Sequence, residues 1–335
     1  MRLIYAMLLG FILDLIFGDP HGLIHPVQII GWFIDKLKKG MQNMIYGCSY
    51  EEVREKEIER KAGVEKTAGF FLMLFIVVGT FAVVYGILYV ANLIHPVLRF
   101  CLETFFIYQI LATKSLKTES MKVYKKLKEG DLIGARKEVS YLVGRDTENL
   151  DESEVAKADV ETIAENTADG VIAPMLFIAI GGAPLGFAYK AVNTLDSMVA
   201  YKNEELINIG FFSAKMDDIC NFIPARFAAV MLMIASLILR FDFKGAVKIF
   251  KRDRFAHLSP NSAQTEAVAA GALQIQLGGT HNYFGKAVVK PTIGDDIRPV
   301  EYEDIKRTNQ LLYVSAVLSM AVCCLITFLI YVQLF

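Results

Sequence analysis

Apolar and polar positions alternate in long blocks along this chain. Residues 67–94 form the clearest apolar block, long enough for a bilayer span of about 20 helical residues. The apolar run at 3–17 is shorter and carries Asp14. Arg2 precedes it, as in a signal peptide. The internal acid and the lack of a small-residue cleavage site predict a retained helix instead, broken at Asp19-Pro20. His95-Pro96 turns the chain, and residues 97–111 return. A last apolar helix is expected at 311–334. Between these blocks, residues 35–66 and 114–137 are rich in Lys and Arg. The alternating charges at 51–61 predict a solvated cytosolic helix. Gly130-Asp131 separates two short amphipathic helices. Basic flanks mark the cytosolic side, so Lys306-Arg307 would start the last helix there and leave the C-terminus outside.

The middle of the chain resists this scheme. Residues 222–239 are long enough to span, yet basic segments flank them on both sides. One span cannot join two segments on the same side. Either 171–188 or 222–239 re-enters, or the weakly apolar 267–277 crosses back. The breaks at Gly181, Gly182 and Pro184 suit a re-entrant segment, because irregular backbone at membrane depth must be buried or line a cavity. The expectation is an all-α integral membrane protein with about four to six membrane helices, a re-entrant segment among the solutions, and cytosolic helical loops. With no internal repeat and no flexible linker, residues 1–335 read as a single polytopic membrane domain.

Polar chemistry concentrates at 142–226. Asp151 and Glu154 form a capping-box pattern that opens a helix. On that helix Glu161, Glu165 and Asp169 recur every fourth residue and share a face. Three acids in one stripe repel unless a cation or donor lies between them. Such a stripe is usually a solvated helix face. Here, however, an apolar run follows at once, and two more polar groups follow that: Asn193, Asp196 and Ser197, then Asp217, Asp218 and Asn221. Ionisable residues beside membrane segments are costly and tend to be functional.

Composition narrows the classes. The 335 residues are 54% hydrophobic, more than a soluble domain carries. A net charge of −1 gives no reason to expect nucleic acid. The five cysteines show no metal spacing and suit a reduced environment. His21 and His25 are four apart, but Gly22 and Pro26 argue against one helix presenting both to a metal.

The stretches ENTADGVIAP, AYKAVNTLDSMVAYKNE and SAKMDDICNFIPAR resemble the CobD/CbiB proteins of cobalamin biosynthesis, the adenosylcobinamide-phosphate synthases. DLIFGDPHGLIHPVQIIG near the N-terminus and HLSPNSAQTEAVAAGALQIQLGGTHNYFGKAVVKPTIGD near the C-terminus extend the resemblance over most of the chain. Two local departures are Phe222, where a tryptophan is frequent, and SPNSAQ in place of the commoner SPNAGW. The resemblance implies ATP-driven amide formation. The carboxylate of adenosylcobyric acid, a corrinoid, joins the amine of (R)-1-aminopropan-2-ol or its O-phosphate. It further implies a multi-pass protein of the plasma membrane with its site facing the cytosol, where ATP is. The bilayer, and other membrane enzymes of the cobalamin pathway, would be its company.

That chemistry needs Mg²⁺ on carboxylate and phosphate oxygens, cations on the phosphates, and a base for the incoming ammonium. Glu165, Asp169, Asp196 and Asp217 are candidate metal ligands. Glu165, Asp169, Asp196 and Asp218 are candidates for catalysis, the base among them. Arg145, Lys190, Lys202, Lys215 and Arg226 are candidate phosphate clamps. Asn166, Asn193 and Asn221 are candidates to orient the amides of the corrin. His257, Ser259, Asn261 and Glu266 are expected at the same cavity, with His257 and Asn261 on substrate. Gly278, Gly279 and 283–285 join them, or form a turn and a close helix contact. Lys290-Pro291 and Gly294-Asp295 read as loop. Asp14, Asp19 and His25 match the first motif, although Asp19-Pro20 is also an ordinary helix stop. Neither GxxxxGK[ST] nor GxGxxG occurs, so no known phosphate loop marks the nucleotide. Two rival classes use acids at a bilayer edge. A Mg²⁺-dependent prenyl or phospho-alcohol transferase predicts a lipid substrate and no ATP use. A secondary transporter predicts a two-fold hydropathy repeat, which the sequence lacks.

Overall fold

A computed structural model describes residues 1–19, 25–201, 203–257, 259–283 and 285–334. Four helical stretches in it are long and apolar enough to cross a membrane: Ala62–Ile94, Glu152–Val199, Phe211–Ile238 and Tyr302–Gln333. The chain is an all-α integral membrane protein, as its hydropathy pattern predicts.

The first helix, α1 (Arg2–Phe17), packs against α5 (Pro96–Ile110). They have 16 and 15 residues. Each is shorter than the roughly 20 residues that cross a bilayer unaided. Between them lie α2 (Pro26–Tyr46), the six-residue α3 (Tyr50–Glu55) and the long α4 (Ala62–Ile94). The expected solvated helix at 51–61 is therefore only α3. The chain then turns so that the Arg60 guanidinium meets the buried Glu65 carboxylate at 2.6 Å. His95 caps α5 by accepting from the Val97 amide at 3.2 Å. Asp14 reaches across to accept from the Thr113 amide at 3.1 Å, at the start of α6 (Thr113–Lys128). The Tyr108 hydroxyl and the Lys114 ammonium donate to the last carbonyls of α1, at Gly18 and Ile16. Gly130 then ends α6, and α7 (Leu132–Ser140) follows as the second short helix.

Next, α8 (Glu152–Asn166) passes through a π-helical turn (Thr167–Ile172) into α9 (Ala173–Val199). This run is not straight. Gly181 and Gly182 leave helical geometry, and Gly182 takes φ 67°, which favours glycine. On a straight helix positions 177 and 189 would lie about 18 Å apart. Instead the Phe177 and Tyr189 rings stack at 4.8 Å. A side chain at Gly186 would likewise meet Ile178 at 2.6 Å. Residues 173–180 and 183–199 are thus two arms of a hairpin, the geometry expected if 171–188 is the segment that re-enters.

After the hairpin come α10 (Phe211–Ile238), α11 (Phe243–Asp253) and α12 (Ser262–Leu273). α10 begins eleven residues earlier than the apolar run suggests, which puts Asp217, Asp218 and Asn221 on the helix itself. The alternative crossing at 267–277 is ruled out. α12 has 12 residues, about 18 Å of helix, and is buried in protein on nearly every side. Beyond it, β1 (Leu277–Tyr283) and β2 (Lys286–Ile293) pair antiparallel where loop was expected. The last helix, α13 (Tyr302–Leu334), packs along α8, α10 and the hairpin.

A candidate active-site cavity

A cavity of about 900 Å³ opens between α8, the end of α9, the start of α10, the segment after α11, and β2. Its first wall is α8. The capping box forms as the sequence predicts: Asp151 accepts from the Glu154 amide at 2.8 Å, and Glu154 accepts from the Asp151 amide at 2.9 Å. Glu161, Thr162 and Glu165 then face the cavity. The π-helical turn carries Asp169 into the same space. Single π turns within α-helices recur at functional sites.

The acids divide into two kinds. Glu161 is structural: it accepts from Arg145 at 2.7 Å and from the Gly278 amide at 2.7 Å, tying β1 to α8. Asp218 accepts from the Ser259 hydroxyl at 2.9 Å, and the Lys215 ammonium stands 3.9 Å away. Asp217 accepts from Asn221 at 3.0 Å through one oxygen and is approached by Asn193; its other oxygen is buried without a hydrogen bond. Among the described residues, the carboxylates of Glu165, Asp169 and Asp196 make no hydrogen bond or ion pair. These carboxylates lie close enough to act on one another electrostatically. Gathered negative charge of this kind is costly unless protons or a cation neutralise it.

Among the described residues, no three His, Cys, Asp or Glu side chains form a ready-made metal cage. That does not conflict with Mg²⁺, which usually takes one or two protein carboxylates and completes its shell with water and substrate phosphates. The orphaned Asp217 oxygen beside Asp196 and Glu165 suits such a partial site.

Arg145, Lys215 and Lys290 supply cations on the walls. On the α12 side, the His257 Nε2 atom lies 3.3 Å from a Glu266 oxygen. Burial, helped by the nearby Lys290 ammonium, pushes the His257 imidazole below its ordinary range. Burial, together with the Glu165 and Glu161 charges, pushes the Glu266 carboxyl well above its own. Both groups are driven toward their neutral forms. At the mouth the lining turns apolar, with Tyr201, Ile207, Phe211, Val288 and Val289 each substantially exposed.

Most of the expected site residues meet here: Arg145, Glu165, Asn166, Asp169, Asp196, Lys215, Asp217, Asp218, His257 and Asn261 all line the cavity. Four stand behind its wall. Asn221 is 1% exposed, and its oxygen accepts from the Tyr189 hydroxyl at 2.8 Å while its amide holds Asp217. It holds an acid from behind and does not itself line the cavity. Asn193 also serves Asp217 from behind. The Arg226 guanidinium stacks on Phe222 at 3.7 Å and donates to the Phe222 carbonyl and to Asn261. Lys190 sits in the field of Asp19, His25 and Asp169, which links the first motif to the cavity floor. Lys202 and His21 lie outside the described residues, as does Phe284. His25 caps α2 by accepting from the Val27 amide at 3.2 Å. Two features escaped the sequence reading. The helix-to-helix relay through Tyr189 leaves no local signal. The β2 wall did leave one, in the β-branched pair Val288-Val289 just after Gly285.

Comparison with known proteins gives a consistent result. The family described as "CobD/Cbib protein" matches residues 7–312. A "Cobalamin biosynthesis protein CobD" of Clostridium perfringens is 50% identical over 320 residues, 96% of each chain. One from Streptococcus sanguinis is 47% identical over 310 residues, 92% of this chain and 93% of its own. A "Cobalamin biosynthesis protein CbiB" of Salmonella choleraesuis is 43% identical over 320 residues, 95% of this chain and 96% of its own. No solved structure matches the chain.

Proposed function

The chain belongs to the CobD/CbiB family, and from that membership we propose that it is an adenosylcobinamide-phosphate synthase of cobalamin biosynthesis. It joins adenosylcobyric acid to (R)-1-aminopropan-2-ol or its O-phosphate at the expense of ATP, in the plasma membrane, with the cavity facing the cytosol. The supporting observation is the cavity itself. Carboxylates with unused oxygens line it, cations stand on its walls, and its mouth is apolar, as an amphipathic ligand would need.

A carboxylate is a poor electrophile, so activation must precede amide formation. A substrate carboxylate oxygen attacks the γ-phosphorus of ATP, which forms an acyl phosphate and releases ADP. The neutral amine then attacks the acyl carbon; the C–N bond forms and phosphate leaves. The ammonium must lose one proton before attack, and the resulting amine loses a second as the amide forms. Asp218, held by Ser259 beside Lys215, would accept one. Asp217, with Asp196 or Glu165, would hold Mg²⁺, which neutralises phosphate charge when bound. Arg145, Lys215 and Lys290 offer cations for the phosphates.

The test supplies purified protein with adenosylcobyric acid, Mg·ATP and one amine at a time: aminopropanol, its phosphate, ethanolamine phosphate or threonine phosphate. Product is identified by mass. Formation of an amide with matching ADP release is expected. A lipid-linked product without ATP use would favour the transferase and end this reading. Asp196→Ala should weaken the apparent affinity for Mg²⁺, and added Mg²⁺ should partly restore the rate. If no acid of the floor shows a metal-dependent defect, the metal binds elsewhere.

A further inference from the structure

The helix α2 carries a face that the cavity does not explain. Its inner side buries Ile30 and Ile34. Its outer side exposes Ile29, Trp32 and Phe33 by 48%, 55% and 46%. These positions recur at the spacing of one helical face and continue into Lys36, whose ammonium sits 4.6 Å from the Trp32 ring centre. Lys39 follows and is paired with Asp35 at 2.8 Å. Soluble surfaces seldom show three large apolar side chains side by side in this way.

The ends of α2 locate it relative to the membrane. Near its C-terminal end the Tyr46 hydroxyl donates to Glu65 at 2.7 Å, in the first turn of the membrane-spanning α4. Near its N-terminal end Gly31 packs against Met198, beside Val199, the last residue of another apolar stretch. Both contacts fall at polar ends of membrane helices. The axis of α2 therefore runs along that boundary and not through the apolar layer. α2 also packs against α4, on which Phe71 and Phe75 are 54% and 63% exposed.

We propose that the outer face of α2 is a lipid-binding surface that lies in the headgroup zone of the bilayer, with Ile29, Trp32 and Phe33 in the acyl boundary and Lys36 at the phosphates. Tryptophan and lysine side by side suit this zone, since the indole ring is amphipathic and the lysine stem reaches outward. A helix so placed buries its apolar face about 5–10 Å into the boundary. The placement has a consequence for the cavity. Lys38 pairs with Glu205 at 3.2 Å, and Gly31 braces Met198. The segment between those two contacts carries Tyr201, and Ile207 follows it; both line the mouth. Lipid on α2 thereby holds the mouth of the cavity at the membrane surface.

Trp32 is the single tryptophan of the chain, so the protein carries its own probe. The full chain is reconstituted in vesicles of phosphatidylcholine and phosphatidylglycerol, some brominated near the top of the acyl chains and some near their ends. The expected result is blue-shifted emission that shallow bromines quench more than deep ones, and that acrylamide in the water barely reaches. Emission typical of a wetted indole, quenched by acrylamide and untouched by brominated lipid, would overturn the proposal. So would emission that neither quencher reaches, because another protein surface would then cover the face. Moving the probe, with Trp32→Phe combined with Phe33→Trp, should give the same depth ranking. Loss of the ranking in that variant, with the protein still folded, would also count against it.

Discussion

Two sets of acids, one at the start of α13 and one on the cavity wall formed by α8, α9 and α10, are built on opposite plans. At the start of α13, Asp304 is fully buried and its oxygens accept from Arg298 at 2.8 and 2.6 Å, from Arg307 at 2.7 Å and from the Glu301 amide at 2.9 Å. Every lone pair there has a use, and the site locks the chain's last turn into α13. On the cavity floor, Glu165, Asp169 and Asp196 have no such partners among the described residues, and one Asp217 oxygen is orphaned. Asp304 is the more deeply buried of the two, yet it is the one the fold fully satisfies. An acid that the fold fully pairs is there to hold the fold. A group of acids that the fold gathers at a cavity and leaves unpaired is a candidate functional site.

The largest effect should separate these plans by activity. Glu165→Gln and Asp169→Asn should each lower product formation by about 10²–10⁴-fold, the usual worth of a positioned acid or base, while the protein stays folded in the membrane. Removing one charge from a repelling group should leave thermal stability unchanged or raised. Rates within a few-fold of the parent in both variants would make the stripe an ordinary solvated face.

Asp304→Asn should do the reverse. It leaves two part-exposed guanidinium groups with one charged acceptor fewer, which typically costs about 1.5–3 kcal/mol. Thermal unfolding in detergent should show the loss, whereas the folded fraction should keep its rate per molecule. Normal stability would show that the paired acid is dispensable and would erase the contrast.

Tyr189→Phe probes the join between the two plans. It removes the hydroxyl that donates to Asn221 and leaves a buried acceptor unpaired, at a cost of about 1–3 kcal/mol. Asn221 would then be free to turn and release Asp217. The apparent affinity for Mg²⁺ should fall more than the rate at saturating Mg²⁺. A loss of stability with an unchanged Mg²⁺ requirement would reduce the relay to packing.

The sequence made the plans unequally visible. Glu165, Asp169, Asp196, Asp217 and Asp218 stand out because acids next to apolar runs are rare, and helical spacing alone puts several of them together. The hairpin was legible as one of three options, since Gly181-Gly182 and Pro184 break any straight span. What chose among the options is tertiary: the stacking of Phe177 on Tyr189 has no signature in either segment. Asn221 reads as an exposed amide beside two acids, and only the packing of α10 against the hairpin turns it inward. The hidden strands show the reverse failure. Val288-Val289 after a glycine turn is a strand signal, overshadowed by the loop-forming glycines and prolines around it.

The smallest effect belongs to the paired plan at the protein surface. Asp253, at the end of α11, accepts from Arg252 at 2.6 and 2.8 Å and from the Gly294 amide at 2.8 Å, which fastens the end of β2. The Arg252 guanidinium holds the Asp253 carboxyl below the ordinary aspartate value of 3.8. A depressed value means that the folded protein binds the proton less readily than the unfolded chain. The stabilisation is then complete above 3.8 and fades as pH falls through the lower, folded-state value. Asp253→Asn keeps one acceptor, which can serve Gly294, and loses the charge and one of the two bonds from Arg252. It should cost about 0.2–1 kcal/mol near neutral pH, as half-exposed ion pairs do, and less in high salt. The gap in unfolding temperature between parent and variant should close on acidification, and turnover should not change at any pH where both are folded. A gap that widens on acidification would reverse the sign of the argument. A loss of turnover would mean that β2, which walls the cavity through Lys290, transmits strain from this surface to the unpaired acids, and that the two plans are mechanically joined.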